Sequence, residues 1–389
     1  YYGCTVNLTR IYCYSIISFI VKNNYITCLK TGAMKQVYNI FLFILLLSSV
    51  SVTSQVLSGH VYDEKHLPLE GAVVYFDGTT ISVSTTAEGY FSIKGDKNIP
   101  AALVISFVGF TPVKIDNPYT GKRLEIILVP DAIVMDAAVV TGKTLFSRAE
   151  MLKAFREQFL GSNAGGMCKI ENEADLRLRF DTSNNTLYAE AVKPLRISNG
   201  RLKYIVTFDL IASEIRYRAK SLNPDRIAGA FFGGTTFFTD VSVSGNADRQ
   251  RKEAYMGSPM HFIKTAIYGN WEEQKFQLFR RSRKINPDNY FVVKDTLGIK
   301  KIQILQKSTG KELFLSSQDG KREIPTGAAQ QRFEILYNKK VQSFLLYNTG
   351  FFYANSNGLF WPLHELTFGG YMGGLRVGDM LPANYKLSD

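Results

Sequence analysis

Residues 58–110 read SGHVYDEKHLPLEGAVVYFDGTTISVSTTAEGYFSIKGDKNIPAALVISFVGF, and the rest of the chain is organised around this stretch. Short runs of β-branched and aromatic residues alternate in it with turn residues. Gly71, Gly78, Gly89 and Gly95 supply the positive φ or tight turns that hairpins need. The pattern predicts an antiparallel β-sandwich. Its predicted strands are 71–76, 81–86, 90–93, 103–108 and 124–129.

Spaced residues in this stretch carry a family resemblance. They are Gly59-x-Val61-x-Asp63, Pro68-Leu69-x-Gly71-Ala72-x-Val74, Gly78-Thr79, Thr86-x-x-Gly89-x-Phe91-x-Ile93 and Ser106-x-x-Gly109-Phe110. Together they resemble the carboxypeptidase-like regulatory domain, a prealbumin-like (transthyretin-like or Ig-like) β-sandwich. The resemblance implies a small accessory sandwich at residues 55–130. In the namesake enzymes this sandwich stands beside a catalytic domain and has no catalytic residues of its own.

The N-terminal part of the chain has the features of a secretory signal. Residues 1–33 contain no acid and no periodic pattern, and we interpret them as translated upstream sequence. From Met34 a basic end, a short apolar run and small residues follow as far as Ser54, which predicts a signal peptide at 34–54. The apolar run is shorter than a membrane-spanning helix requires, although an uncleaved anchor stays an alternative. We expect export to the periplasm, the outer membrane or the cell surface.

The net charge of the chain favours some classes of binding partner over others, and its cysteine content bears on disulfide formation. The formal net charge of the whole chain is +12, and four basic residues with no acid precede Gln55, so the exported part stays basic. A basic surface favours an anionic glycan, a lipid or an acidic protein, whereas an exported chain would rarely meet nucleic acid. Cys168 is the one cysteine after the signal, so no internal disulfide is expected. We predict a small buried residue there, with a reactive thiol as the alternative.

A second domain is predicted at residues 147–389, after a connector at 131–146. Ser147 and Glu150 form a capping box, which predicts a helix that ends at Gly161. Two further helices are predicted around a break at Gly257, because Ser258 can cap and Pro259 suits the first helical position. The remainder is β-rich, so the fold class is mainly β with an α+β second domain.

Several local elements of this domain are predicted from alternation and turn residues. The predicted strands are 187–191, 204–210, 301–305, 312–315, 332–337, 341–347, 351–354 and 359–361. Residues 194–200 are predicted as a turn, 241–245 as an edge strand and 369–374 as a loop.

The second domain carries a looser resemblance. Its residues are Cys168, Pro194-Leu195, Asn199, Arg251, Tyr255, Gly257-Ser258, His261-Phe262 and Asp379-Met-Leu-Pro382-x-x-Tyr385. They resemble the second domain of exported proteins of the Bacteroides/Flavobacterium group (Bacteroidota) that carry this sandwich. The biochemical role of that domain is essentially unassigned, so the resemblance implies an architecture and no mechanism.

The sequence contains no set of residues that indicates catalysis. The four His are far apart, and His364-Glu365 lacks the second His of a zinc-peptidase helix. Ser242 and Ser244 lack the glycine that begins a nucleophile elbow. The glycines of 369–374 have no dinucleotide-loop spacing. We therefore predict no catalytic residue, no metal, no cofactor and no enzymatic activity.

Candidate binding residues come from the basic and aromatic segments. Arg280, Arg281 and Arg283 belong to the densest basic run, which we interpret first as a solvated hairpin tip, with a contact for an anionic surface as the functional alternative. Arg249 and Arg251 would add to this patch if they lie near it. Tyr255 and His261 complete the candidate set. Most of the 27 Phe and 21 Tyr are expected in the core, and an exposed subset could bind sugar or peptide.

The sequence thus favours a non-catalytic cell-envelope protein that acts as a binding or assembly module. Its partner would be an envelope or outer-membrane protein, contacted by surface complementarity or by strand addition at a sandwich edge. The alternative is an envelope hydrolase of peptide or glycan with a site assembled only in the fold, for instance an acid with His261. A carboxylate pair about 5 to 10 Å apart across a cleft would favour it. A purely structural role also stays open.

Overall fold

The computed structural model describes residues 56–95, 101–119, 123–131, 145–161, 166–296, 299–305, 331–348, 350–362 and 365–387. The interpretations of 1–33 and 34–54 lie outside these residues, as do most of the connector, the 312–315 strand and His364. The described residues belong to one compact unit. Among the described helices, none is long and apolar enough to cross a membrane.

The described residues are mainly β with a few helices, as predicted. The strands are β1 (Val56–Asp63), β2 (Val73–Phe76), β3 (Ser82–Ser84), β4 (Tyr90–Lys94), β5 (Leu103–Ser106), β6 (Val113–Ile115), β7 (Leu124–Leu128), β8 (Cys168–Ile170), β9 (Leu176–Asp181), β10 (Thr186–Ala191), β11 (Leu195–Asn199), β12 (Tyr204–Tyr217), β13 (Ile227–Asp240), β14 (Phe276–Arg280), β15 (Arg283–Ile285), β16 (Phe291–Thr296), β17 (Ile299–Ile304), β18 (Gln331–Tyr337), β19 (Val341–Tyr347), β20 (Phe351–Ala354), β21 (Phe360–Trp361) and β22 (Leu366–Gly370). The α-helices are α1 (Arg148–Leu160), α2 (Asp248–Tyr255), α3 (Pro259–Tyr268) and α4 (Tyr371–Gly374).

The N-terminal part is a β-sandwich, which confirms the prediction. One sheet has the order β4-β1-β7 and the other the order β3-β2-β5-β6. Alternate residues such as Val61, Val74, Leu103 and Leu128 are fully buried between the sheets. The expectation of a purely antiparallel sandwich is wrong at one pair, because β1 and β7 run parallel. The intervening strands carry the chain through the other sheet and back, so β7 returns in the direction of β1.

A six-stranded sheet begins the second domain. Its order is β8-β11-β12-β10-β9, and β13 pairs with the other side of β12. Helix α1 has the predicted capping box of Ser147 and Glu150 and packs Phe155 and Phe159 against this sheet. The Phe159 ring lies 5.1 Å from that of Phe208 and 5.2 Å from that of Phe232, centroid to centroid. The aromatic stripe of α1 therefore builds the core of this layer.

Three local predictions in this domain are wrong. Residues 194–200 contain strand β11 instead of a turn alone, because Leu195 and Ile197 are buried in the sheet. Residues 241–245 form turns instead of an edge strand, with positive φ at Ser244 and Gly245. Residues 369–374 end β22 and form the single-turn helix α4 instead of a loop.

Two sheets complete the described fold, in the orders β15-β14-β18-β19-β22 and β16-β17-β20-β21. Helix α3 packs against them and buries Phe262, whose ring lies 5.6 Å from that of Trp271 and 5.5 Å from that of Phe276. Ser258 caps α3 and Pro259 occupies its first turn, as predicted. This aromatic core lies apart from the one under α1.

A turn of the sandwich docks onto the outer edge of β13. The Gly78 N–H donates to the Thr236 carbonyl at 2.7 Å, and the Phe238 N–H donates to the Thr79 carbonyl at 2.9 Å. Thr79 and Phe237 form a parallel β-bridge. The turn therefore acts as a short added strand that covers the C-terminal half of this edge.

Residues 377–385, which we call the clasp, also form hydrogen bonds with this turn. The Ala383 N–H donates to the Gly78 carbonyl at 2.7 Å, and the Asn384 side-chain amide donates to Thr80 Oγ1 at 2.7 Å. At its beginning, the Asn199 side-chain amide donates to the Gly378 carbonyl at 3.0 Å. The clasp thus joins the sandwich to the six-stranded sheet.

Candidate binding surface

Arg251, one of the candidate binding residues, lies in the interior. Its guanidinium makes a two-pronged ion pair with Asp240, at 2.8 and 2.7 Å, and its Nε donates to the Leu202 carbonyl at 2.9 Å. The same group lies 3.9 Å above the ring centre of Tyr204. Hydrogen bonds from Arg251 lower the pKa of Asp240 to about 2. Arg251 therefore ties α2 to the end of the β12–β13 hairpin and offers no open face to a ligand.

Tyr255 and His261 also lie in the interior. The Gly257 N–H donates to His261 Nδ1 at 3.0 Å, and His261 Nε2 lies 2.8 Å from Gln274 Oε1. Both ring nitrogens are thereby used if Nε2 carries the proton. The Tyr255 ring lies 5.0 Å from that of His261 and 5.8 Å from that of Tyr385 in the clasp. These residues hold α2, α3 and the clasp together.

The buried histidine makes stability depend on pH. Burial lowers the pKa of His261 below its ordinary value of 6.5, and the hydrogen bond with Gln274 acts in the opposite direction. Below about pH 6.5 the unfolded chain therefore binds a proton that the folded chain excludes. We expect the free energy of unfolding in urea to fall between about pH 7.5 and about pH 5.5.

His261→Asn is expected to flatten this pH profile, because Asn accepts the Gly257 hydrogen bond without titrating. The matched control is the exposed His66, where asparagine also suits the positive φ. An unchanged pH profile in His261→Asn would contradict the assignment.

The other candidate arginines lie at the surface. Arg249 is exposed on α2, the helix whose Arg251 is buried. Arg281 and Ser282 have positive φ and form the turn between β14 and β15, which confirms the predicted hairpin tip. Arg280 donates to Gln331 Oε1 at 2.9 Å, and Arg283 is exposed on β15. Because Arg251 is enclosed, the structure does not bring the whole candidate set together.

A cleft of about 1140 Å³ lies beside this hairpin. Glu272, Glu273 and Asp288 line it, together with lysines and amides of the surrounding loops. Two of these carboxylates already accept hydrogen bonds from neighbouring side chains, Asp288 from Trp271 at 3.1 Å and Glu273 from Gln274 at 3.1 Å. His261 is 2% exposed and does not line the cleft.

The N-terminal half of β13 forms a free edge (residues 227–234), which the sequence analysis did not identify. Over the described residues, β13 pairs with β12 on one side and with the docked turn at Phe237 on the other. The backbone N–H and C=O groups of Thr236 and Phe238 point away from β12, toward the docked turn. Because these groups alternate in direction along a strand, those of Gly234, Phe232 and Ala230 also point away from β12. The free edge thus continues the line that the docked turn already uses.

The composition of the free edge is unusual for an exposed strand. Its sequence, IAGAFFGG, contains no charge and no proline, the features that normally protect an edge from other chains. Phe231 is 59% exposed on the face opposite α1, and Ile211, in a bulge of β12, is 71% exposed. At Gly234 an added Cβ would lie 2.0 Å from the Asp209 carbonyl oxygen. This position therefore requires glycine, because a side chain would clash with the backbone of β12.

Two further candidate features are a metal site and the thiol of Cys168. No group of three or more His, Cys, Asp or Glu among them is arranged to hold a metal ion. Cys168 is buried in the core under α1, and burial raises the pKa of its thiol to about 11. A thiol of this kind is almost fully protonated at neutral pH, which agrees with the prediction of a small buried residue.

Comparison with known families supports the sandwich assignment. Residues 57–140 match the CarboxypepD_reg-like domain, which confirms the resemblance drawn from the motif residues. No curated protein matches the chain. A chain in the crystal structure of a type II cohesin-X-dockerin complex from Acetivibrio cellulolyticus is 19% identical over 29% of this chain and 79% of its own, with a TM-score of 0.18. That likeness is too weak to carry an argument.

Proposed function

We propose, starting from the CarboxypepD_reg-like sandwich at residues 57–140, that the protein is a non-catalytic assembly module of the cell envelope. It receives an extended segment of an envelope or outer-membrane protein by strand addition at the free edge. The basic composition and the signal-like segment at 34–54 support a location in the periplasm or at the outer membrane. The observation that carries the proposal is the uncharged edge of β13 beside a turn that is already docked on it.

The docked turn supports strand addition, because it makes the same kind of backbone hydrogen bonds to β13 that a partner strand would make. Hydrogen bonds from Gly78 and to Thr79 engage outward backbone groups of β13. A partner strand that continues this line would engage the groups of Phe232 and Ala230 in the same way. Phe231 would contribute an exposed aromatic contact on one face, which favours an apolar partner segment.

Ala230→Pro tests the proposal with little change to the fold. Proline removes the outward N–H of this residue, whereas the ladder between β12 and β13 uses its neighbours Gly229 and Phe231. A photo-crosslinking phenylalanine analogue at position 231 should form an adduct with an envelope protein in intact cells. We expect Ala230→Pro to abolish this adduct. The same analogue at Tyr268, which is 56% exposed outside the free edge, serves as the matched control.

The possible outcomes separate the alternatives. An adduct at position 231 that survives Ala230→Pro would overturn strand addition. An adduct with the mass of two copies of this chain would replace the proposed partner with self-association. Equal adducts at positions 231 and 268 would indicate non-specific contact. Thermal unfolding of Ala230→Pro should show a transition close to that of the unmodified protein, so that lost crosslinking is not lost folding.

A further inference from the structure

The sheet β16-β17-β20-β21 presents two chemically different faces. Phe352, Ala354 and Ile302 point to the core and are fully buried. The alternate residues of the same strands point outward, and among them are Phe351 and Tyr353 of β20. The outward face therefore carries large aromatic side chains where a solvent-facing sheet ordinarily carries polar ones.

The aromatic residues of this face meet at Tyr353: Phe351 lies two positions before it on β20, and Trp361 lies beside it on β21. The ring centres of Phe351 and Tyr353 lie 6.1 Å apart with perpendicular planes (85°), and those of Tyr353 and Trp361 lie 6.2 Å apart with planes only 21° from parallel. Tyr353 pairs with Trp361 on β21 and with Lys301 on β17. We call these four residues, Phe351, Tyr353, Trp361 and Lys301, the platform. The near-parallel rings of Tyr353 and Trp361 are separated by a distance of the order of one sugar ring.

Positive charge lies on the same face. The Lys301 ammonium lies 4.6 Å from the ring centre of Phe351 and 5.9 Å from that of Tyr353. Lys294 is the cross-strand partner of Lys301, on the same face. Like charges directly opposite each other destabilise a sheet, so this pair costs stability unless an anion lies across it. The charge pattern of the platform is complementary to a negatively charged ligand.

We propose that the platform binds an acidic polysaccharide, a site separate from the free edge of β13. The rings of Trp361 and Tyr353 would stack on the apolar faces of successive sugar rings. The ammonium groups of Lys301 and Lys294 would pair with sugar carboxylates along the same chain. The near-parallel neighbouring rings of Tyr353 and Trp361 suit a repeating ligand, whereas a lipid surface would require apolar side chains that project into it.

Affinity electrophoresis of the full chain tests the site, with polygalacturonate in the gel as the acidic probe and a neutral galactan of similar size as the comparison. We expect retardation by polygalacturonate that weakens with added salt. Trp361→Ala should weaken the apparent affinity about tenfold, as loss of a central aromatic anchor does. Lys301→Glu should weaken it by about the same factor, because it reverses a charge that pairs with the ligand.

Matched controls distinguish the platform from general surface effects. Lys340→Glu makes the same charge change at an exposed lysine in the turn between β18 and β19, and Tyr268→Ala removes an exposed aromatic ring of α3. Both should leave retardation unchanged. Circular dichroism and thermal unfolding of each variant establish that it is folded.

Each other outcome overturns the proposal. Equal retardation by the neutral galactan would assign the platform to neutral sugar, and no retardation of the unmodified protein would remove the site. A Lys301→Glu effect no larger than that of Lys340→Glu would reduce binding to net charge. Co-sedimentation with vesicles of anionic phospholipid that is lost in Trp361→Ala, without retardation by polygalacturonate, would assign the face to a membrane.

Discussion

Replacement of Arg251 by methionine is expected to lower the free energy of unfolding by about 3 kcal/mol. The substitution removes the two-pronged ion pair with Asp240 and the hydrogen bonds to the Leu202 and Lys203 carbonyls. Asp240 is partly exposed, so its lost partner is replaced in part by water, and the expected cost lies at the low end for a broken buried pair. Urea unfolding followed by circular dichroism measures it.

Arg249→Met is the matched control, because it removes the same charge from an exposed position of the same helix. It should change stability by no more than about 0.5 kcal/mol. In Arg251→Met, the pKa of Asp240, followed by NMR, should rise from about 2 toward its usual range. Equal stability of the two variants, or an unchanged Asp240 pKa, would contradict the structural role of Arg251.

Asp77→Ala is expected to cost about 3 kcal/mol and to separate the sandwich from the second domain. Asp77 Oδ1 accepts a hydrogen bond from the Thr236 N–H at 2.7 Å, and its loss leaves this buried N–H unpaired. The neighbouring Tyr75 hydroxyl is already engaged, 3.2 Å from Thr235 Oγ1. Calorimetry should then show two thermal transitions in place of one.

Two variants isolate this effect. Burial raises the pKa of Asp77, whereas the hydrogen bond from the Thr236 N–H acts in the opposite direction. Asp77→Asn keeps an acceptor of the same shape. We expect Asp77→Asn to retain a single transition. Asp116→Ala removes an exposed acid of the same sandwich and should be near neutral. A single transition in Asp77→Ala would show that the junction does not depend on this hydrogen bond.

The sequence predicted the elements whose signals are local. The capping box of Ser147 and Glu150, the break at Gly257 and the cap at Ser258 each lie within a few residues, so the observed helix ends follow from them. The sandwich was identified for the same reason, because its turn residues fix the hairpins. Strand β11 was missed because Pro194 and Gly200 frame a segment whose strand character comes from pairing with β12.

The candidate sites depend on contacts between residues that lie far apart in the sequence, and the sequence alone did not predict these contacts. Arg251 looks like a surface cation in a charged helix, and only the position of Asp240 shows that it is enclosed. The same holds for the edge of β13, which is free because of the strand order and not because of its composition. For the platform, the run of aromatic residues Phe351-Phe352-Tyr353 indicated a strand, but it does not tell which face is outward.

The clasp also sets an order of events. Thr80 and Asn384 are 304 positions apart, so during synthesis the docked turn and β13 emerge from the ribosome long before the residues that secure them. Until then the part of the β13 edge around Phe237 is covered by a turn that the clasp has not yet secured, which exposes this part to other nascent chains. Shortening the chain before Ala383 would remove the Ala383 and Asn384 hydrogen bonds to the turn and leave that part of the edge permanently less protected.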